Sequence, residues 1–310
     1  MSLSRSLVPK GMQFRIEISN RGREKARGAG AKGGISAGMR DVDKSRGGQP
    51  CLDIFARCAE GIGEGKLITR ESRQDKEFHF QNWFKARLAE TGLNFEVGGR
   101  NSYPDFRLVA TTDGFEVKGL AYPGREANYD CNSQAPSGNH NGRTIYYVFG
   151  RYPAEPDGEA YPVLDLVVCH GDLLNADHTY VHKNKSVKGF GSYGDIMIRD
   201  RKMYVAPTPF GLATGTAHNQ TLIVPAEAPA DARFTDVGRL VRREADKLII
   251  GYRFNLRTNT FTPQLVDNPS AGNEHVFRAY RLKGVRGEAV AMRPVVAKVS
   301  VEPEDDQGDE

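Results

Sequence analysis

Two nearly continuous apolar runs, TIYYVFGRY (residues 144–152) and VLDLVVCH (163–170), constrain this chain more than any other feature. A strand with one wet face alternates polar and apolar residues, so runs without alternation predict strands covered on both faces. Cover must therefore come from elsewhere in the chain. Upstream, CLDIFARCAEGIG carries Leu52, Phe55, Cys58, Ala59 and Ile62 at helical spacing. A second helix is predicted over SRQDKEFHFQNWFKARLAETG. There Ser72 and Asp75 resemble a capping box, Phe80, Trp83, Phe84, Arg87 and Leu88 make the buried face, and Gly92 stops the helix. LNFEV, DFRLVA and GFEVKGL read as further strands. Helices followed by strands of one large mixed sheet predict an α/β (α+β) fold.

Further on, the spacing predicts a helix over DVGRLVRREADKLI (236–249). A strand pair, IIGYRFNL and TFTPQLV, is expected around an Asn-Thr turn, with additional C-terminal strands HVFRAYRL and AVAMRPVVAKV. Residues 121–143, AYPGREANYDCNSQAPSGNHNGR, are too long and polar for a routine connection, which predicts a functional or partly helical segment. Four cysteines, Cys51, Cys58, Cys131 and Cys169, lack CxxC spacing, so neither a zinc knuckle nor a disulfide framework is expected. No signal-like or membrane-length apolar run is present, which makes a cytoplasmic protein the expectation.

Charge is unevenly spread. Residues 1–50 hold eleven Lys/Arg against four Asp/Glu and are rich in Gly and Arg, which predicts a flexible basic arm. The final ten residues, 301–310, hold six acids and no base and read as a disordered acidic tail. A basic arm on a mildly basic body suits an anionic partner, most simply nucleic acid.

NSYPDFRLVATTDGFEVKG, residues 101–119, carries charged groups on two short apolar runs. Asp105 opens one strand, Pro104 fixing the backbone before it. Glu116 and Lys118 lie two apart on the next strand and leave the same face, whereas Val117 points the other way into the core. Two carboxylates meeting there would form a hard oxygen site suited to Mg²⁺, with Mn²⁺ an alternative. Lys118 beside it would orient or help deprotonate water, or neutralise a pentavalent phosphate. Glu77, on the preceding helix, is a candidate third acid. The plain alternative is a solvated hairpin whose acids face water.

The sequence PD, followed after ten residues by EVK, resembles the PD-(D/E)XK nuclease superfamily, in the style of type II restriction endonucleases. The resemblance covers residues 72–170. It implies a restriction-endonuclease-like core, a central mixed sheet flanked by helices, spanning residues 51–175. Residues 176–300 would then complete that core and supply DNA recognition. It also implies Asp105 and Glu116 as metal ligands, Lys118 as the catalytic lysine and Glu77 as an accessory acid. The expected activity is Mg²⁺-dependent, sequence-specific hydrolysis of double-stranded DNA in the cytoplasm of a bacterium. Cutting both strands of a symmetric site implies a homodimer, or a tetramer. A cognate DNA methyltransferase is the implied partner.

Two other readings stay open: a structure-directed or repair nuclease of the same superfamily, and a non-catalytic nucleic-acid-binding protein. For DNA contact the candidates are Asn132, Ser133, Gln134, Asn139, His140 and Arg143 in the long polar segment. Amides can read adenine and arginine guanine. Lys183, Lys185 and Lys188 lie in a glycine-rich basic stretch suited to phosphates. Arg199, Arg201 and Lys202 follow, their side chains suited to guanine edges or phosphates.

Overall fold

The two apolar runs form the middle of a sheet: residues 143–153 and 165–170 pair antiparallel, with Val148 opposite Val168. A computed structural model describes residues 14–17, 49–70, 78–99, 102–124, 126–132, 135–176, 191–193, 196–200, 203–212 and 220–285. The chain begins with β1 (Phe14–Glu17), α1 (Pro50–Gly63), β2 (Ile68–Thr69) and α2 (His79–Glu90). It continues through β3 (Phe95–Val97), β4 (Phe106–Leu108), β5 (Asp113–Tyr122), β6 (Asn128–Asn132) and β7 (Asn139–His140). Next come β8 (Arg143–Pro153), β9 (Ala160–Tyr161), β10 (Asp165–His170), β11 (Gly191–Tyr193), β12 (Ile196–Asp200) and β13 (Met203–Pro207). The single-turn α3 (Pro209–Leu212) leads to β14 (Gln220–Pro225), β15 (Phe234–Arg243), β16 (Lys247–Asn255), β17 (Thr260–Asp267) and β18 (Glu274–Leu282).

The fold is α+β, with a mixed central sheet and few helices. Among the described residues the sheet has ten strands in the order β1-β15-β18-β14-β10-β8-β5-β4-β3, with β7 added to β8. The pairs β5–β8 and β10–β14 are parallel and the other pairs antiparallel. Strands β14, β15 and β18 extend the sheet that holds β3, β4, β5, β8 and β10.

The expected double cover is present, but the two covers differ in kind. On one face α1 and α2 bring Ile54, Phe55, Phe80 and Phe84 onto Phe115, Val117, Val148 and Val168. On the other, Tyr147, Phe149, Val167 and Ile223 meet Tyr129 of β6, Tyr204 and Ala206 of β13 and Phe210 of α3. That second cover is largely a four-stranded sheet, β11-β12-β13-β6, where flanking helices were expected. The polar segment 121–143 thus supplies a covering strand, β6, and no described helix.

Helix α1 begins with Pro50, whose fixed φ and missing N–H suit a first turn. Helix α2 sits close because Gly119 and Gly150, neighbours across β5 and β8, leave a recess for the Phe80 ring. A methyl group on Gly150 would lie 2.1 Å from two Phe80 ring carbons. Gly92, at φ 73°, follows the end of α2 as expected. The described helix starts at His79; Ser72, Asp75 and Glu77 lie outside the described residues.

Two expectations are corrected. Residues 234–243 form a strand, β15, not a helix: Leu240 and Arg242 are buried alternately with exposed Arg239 and Arg243. A register shift between Asp236 and Gly238 breaks the alternation upstream, and a buried arginine hides it downstream. Within the basic arm, residues 14–17 pair with β15 at the sheet edge. The rest of residues 1–48, the acidic tail and the strand expected at 289–299 lie outside the described residues. The pair β16–β17 and strand β18 form as expected. All four cysteines are buried free thiols. Among the described residues no helix is long and apolar enough to cross a membrane.

Candidate functional site

Phe106 of β4 lies opposite Phe115 of β5, and Arg107 opposite Gly114. Continuing that antiparallel register brings Asp105 across from Glu116. The close approach needs Gly114: a Cβ there would sit 2.5 Å from Cγ of Pro104. Two-residue alternation puts Phe106, Phe115 and Val117 into the helix-side core, as expected for Val117. Asp105, Arg107, Glu116 and Lys118 share the opposite face.

Three contacts knit the expected triad together. The Val117 N–H donates to Oδ2 of Asp105 at 2.8 Å. The Asp105 N–H donates to Oε2 of Glu116 at 3.3 Å. Nζ of Lys118 donates to Oε1 of Glu116 at 2.7 Å. Glu116 is only 9% exposed, a burial a carboxylate tolerates only when paired. Burial, then the neighbouring Glu116 carboxylate, pushes the Asp105 carboxyl up to about 6, against the opposing pull of the Val117 N–H and Lys118. Burial draws the Lys118 ammonium down, but Glu116 and then Asp105 outweigh it and hold Lys118 above its ordinary value. Within this hydrogen-bonded group two carboxylates thus crowd one ammonium, while the Arg107 guanidinium turns to the Tyr103 carbonyl.

Around this cluster lie residues that spacing alone did not single out. The Lys118 ammonium stands 5.9 Å from the Tyr129 ring centre. Cys131, on the same covering strand, has its thiol pushed up to about 12, chiefly by burial. Tyr147 follows Glu116 across the parallel β5–β8 pair, and its hydroxyl lies 2.8 Å from that of Tyr103. Arg107 donates to the Tyr103 carbonyl at 3.3 Å. Period-two alternation could have placed Arg107 beside Asp105. Tyr147 depends on β5 pairing with β8, which local sequence does not encode.

No protein family, curated protein or solved structure matches this chain. Among the described residues, no group of three or more His, Cys, Asp and Glu side chains gathers around a metal position. Asp105 and Glu116 supply two acids.

Of the DNA-contact candidates, Asn139, His140 and Arg143 come together on the β7–β8 hairpin. Its turn, Asn141-Gly142, has φ of 50° and 75°, the positive values a two-residue type I′ turn requires. Asn139 is exposed. The His140 ring meets Tyr103 edge-on at 4.8 Å, which sets the hairpin beside the acid pair. Burial, then Arg107, holds His140 below its ordinary value. Arg143 donates to the Leu108 carbonyl at 3.2 Å, tying the hairpin to β4. Asn132 ends β6 opposite Tyr204, and Arg199 lies on β12 at a register shift. Ser133, Gln134, Lys183, Lys185, Lys188, Arg201 and Lys202, like Glu77, lie outside the described residues.

Proposed function

We propose that this chain is a Mg²⁺-dependent endodeoxyribonuclease with a restriction-endonuclease-like PD-(D/E)XK core, cutting double-stranded DNA at a specific sequence as a type II restriction enzyme. One observation carries the reading: Asp105, Glu116 and Lys118, contributed by adjacent strands, form a single hydrogen-bonded cluster in which the negative charge of two crowded carboxylates faces one ammonium. That charge fits a divalent cation, and the oxygen donors suit Mg²⁺ or Mn²⁺.

Asp105 and Glu116 would hold the ion. When bound, such an ion polarises a phosphodiester and lowers the pKa of water. Lys118 lies against Glu116 and supplies the positive charge that the phosphorus-centred transition state needs. The Val117 N–H fixes the Asp105 carboxylate so that it meets substrate already oriented. The hairpin of Asn139, His140 and Arg143 borders the acids and supports a role in contacting DNA near the cut. A symmetric target requires two copies of the chain, as a homodimer or a tetramer. A methyltransferase would protect the DNA of the bacterial host, in whose cytoplasm the enzyme would act.

The test is digestion of long, unmodified, sequence-diverse DNA with Mg²⁺, with EDTA, and with the Asp105→Ala and Lys118→Ala variants. Discrete fragments are expected only from the unaltered protein with Mg²⁺. Lys118→Ala should lower the rate at least about a hundredfold. A Mg²⁺-dependent smear lost with Asp105 would instead indicate a structure-directed or repair nuclease. Intact DNA in every lane, from protein that still binds it, would overturn catalysis and leave a binding protein.

A further inference from the structure

The β16–β17 ribbon is a two-stranded unit outside the central sheet, paired from Lys247–Asp267 to Asn255–Thr260, with β16 running close to β11 of the covering sheet. Leu248 and Ile250 near its base pack against the second core. At about 3.3 Å per residue the strand then carries the tip roughly 16 Å beyond Ile250. At that tip Leu256 is 95% exposed. Its exposure is built in, because the turn is locked from within. The Arg257 N–H donates to Oδ1 of Asn255 at 3.1 Å, and the Thr258 and Thr260 hydroxyls lie 2.8 Å apart.

Charge points to the partner. Residues 253–260, RFNLRTNT, hold two arginines and no acid. Both Arg253 and Arg257 are exposed. The ribbon's one carboxylate, Asp267, lies at the base and is paired with Lys247. A cationic tip around a projecting leucine suits a polyanion with stacked apolar planes inside it. Pro263 removes a backbone donor from β17, which disfavours joining a second copy by strand addition.

We propose that this ribbon is a DNA-gripping arm: Arg253 and Arg257 take backbone phosphates and Leu256 wedges against a base step from the minor groove. Apolar wedges of this kind unstack a step and bend the duplex. The inference rests on the reading of double-stranded DNA as the partner, but not on catalysis.

Binding to a fluorescent 30-base-pair mixed-sequence duplex, in EDTA so that none is cut, tests it. Dissociation constants are measured against salt, and the bend by energy transfer between end labels. The Arg253→Ala/Arg257→Ala variant should flatten the log–log salt slope by about 1.8, roughly 0.9 for each phosphate no longer neutralised. Leu256→Ser should keep that slope and lose the bend. An unchanged slope in the double variant, or an unchanged bend in Leu256→Ser, overturns the arm. A wild-type protein that does not bind the duplex overturns the arm and leaves the nuclease to the Mg²⁺ digestion. Protein that binds through the arm but never cuts with Mg²⁺ overturns only the nuclease.

Discussion

Replacing Asp105 with Asn should make the metal-free protein more stable at neutral pH. The carboxyl sits at about 6 in the folded chain against an ordinary 3.8, so the native state holds its proton more tightly than the unfolded one. Stability from this group is complete below about pH 4 and is lost as pH rises through about 6. Holding the proton on the order of a hundredfold more tightly corresponds to roughly 3 kcal/mol. Asn cannot ionise, and its side-chain oxygen can still accept the Val117 N–H. In EDTA, urea unfolding of Asp105→Asn and wild type should therefore diverge with pH. The variant's relative stability should rise by about 3 kcal/mol between about pH 4 and 7. Parallel pH profiles, or a variant that loses stability at pH 7, would refute buried charge repulsion as the property of this site.

Arg151 and Asp165 form a buried pair, with the guanidinium carbon 4.4 Å from the ring centres of both Tyr122 and Phe210. Asp165→Ala should cost about 3–5 kcal/mol in urea unfolding, because it strands a buried cation, whereas Arg151→Met with Asp165→Leu should cost much less. A single variant no worse than the double would refute this. Gly150→Ala should cost at least about 1–3 kcal/mol by driving a methyl into Phe80. Adding Phe80→Leu should recover part of that loss in the same assay, so additive costs would mean that the ring does not fill the recess.

The central strands could be read from the sequence because they are covered on both sides, which erases alternation in residues 144–152 and 163–170. The shared face of Glu116 and Lys118 could be read too, since it needs only a two-residue period. Strand β15 was obscured because Arg242 occupies a buried position that patterning assigns to an apolar residue, and a register shift resets its phase. The second cover was obscured for a different reason. Tyr129 and Cys131 sit in a short, polar-looking stretch whose value appears only once β6 pairs with the distant β13. Likewise, Asn141-Gly142 among so many amides resembled a polar loop, yet it makes a two-residue turn that holds His140 against Tyr103.

The triad is shared between strands of unequal anchorage. Glu116 and Lys118 ride on the ten-residue β5, which is paired on both sides and along its whole length with β8. Asp105 enters at the head of the three-residue β4, with, among the described residues, only the equally short β3 beyond it at the sheet margin. Margins fray before interiors. The constellation is therefore only as durable as its outermost member, and its lifetime can be shorter than that of the protein around it. Whatever grips β3 and β4 from outside would hold or release the acid pair without touching either carboxylate.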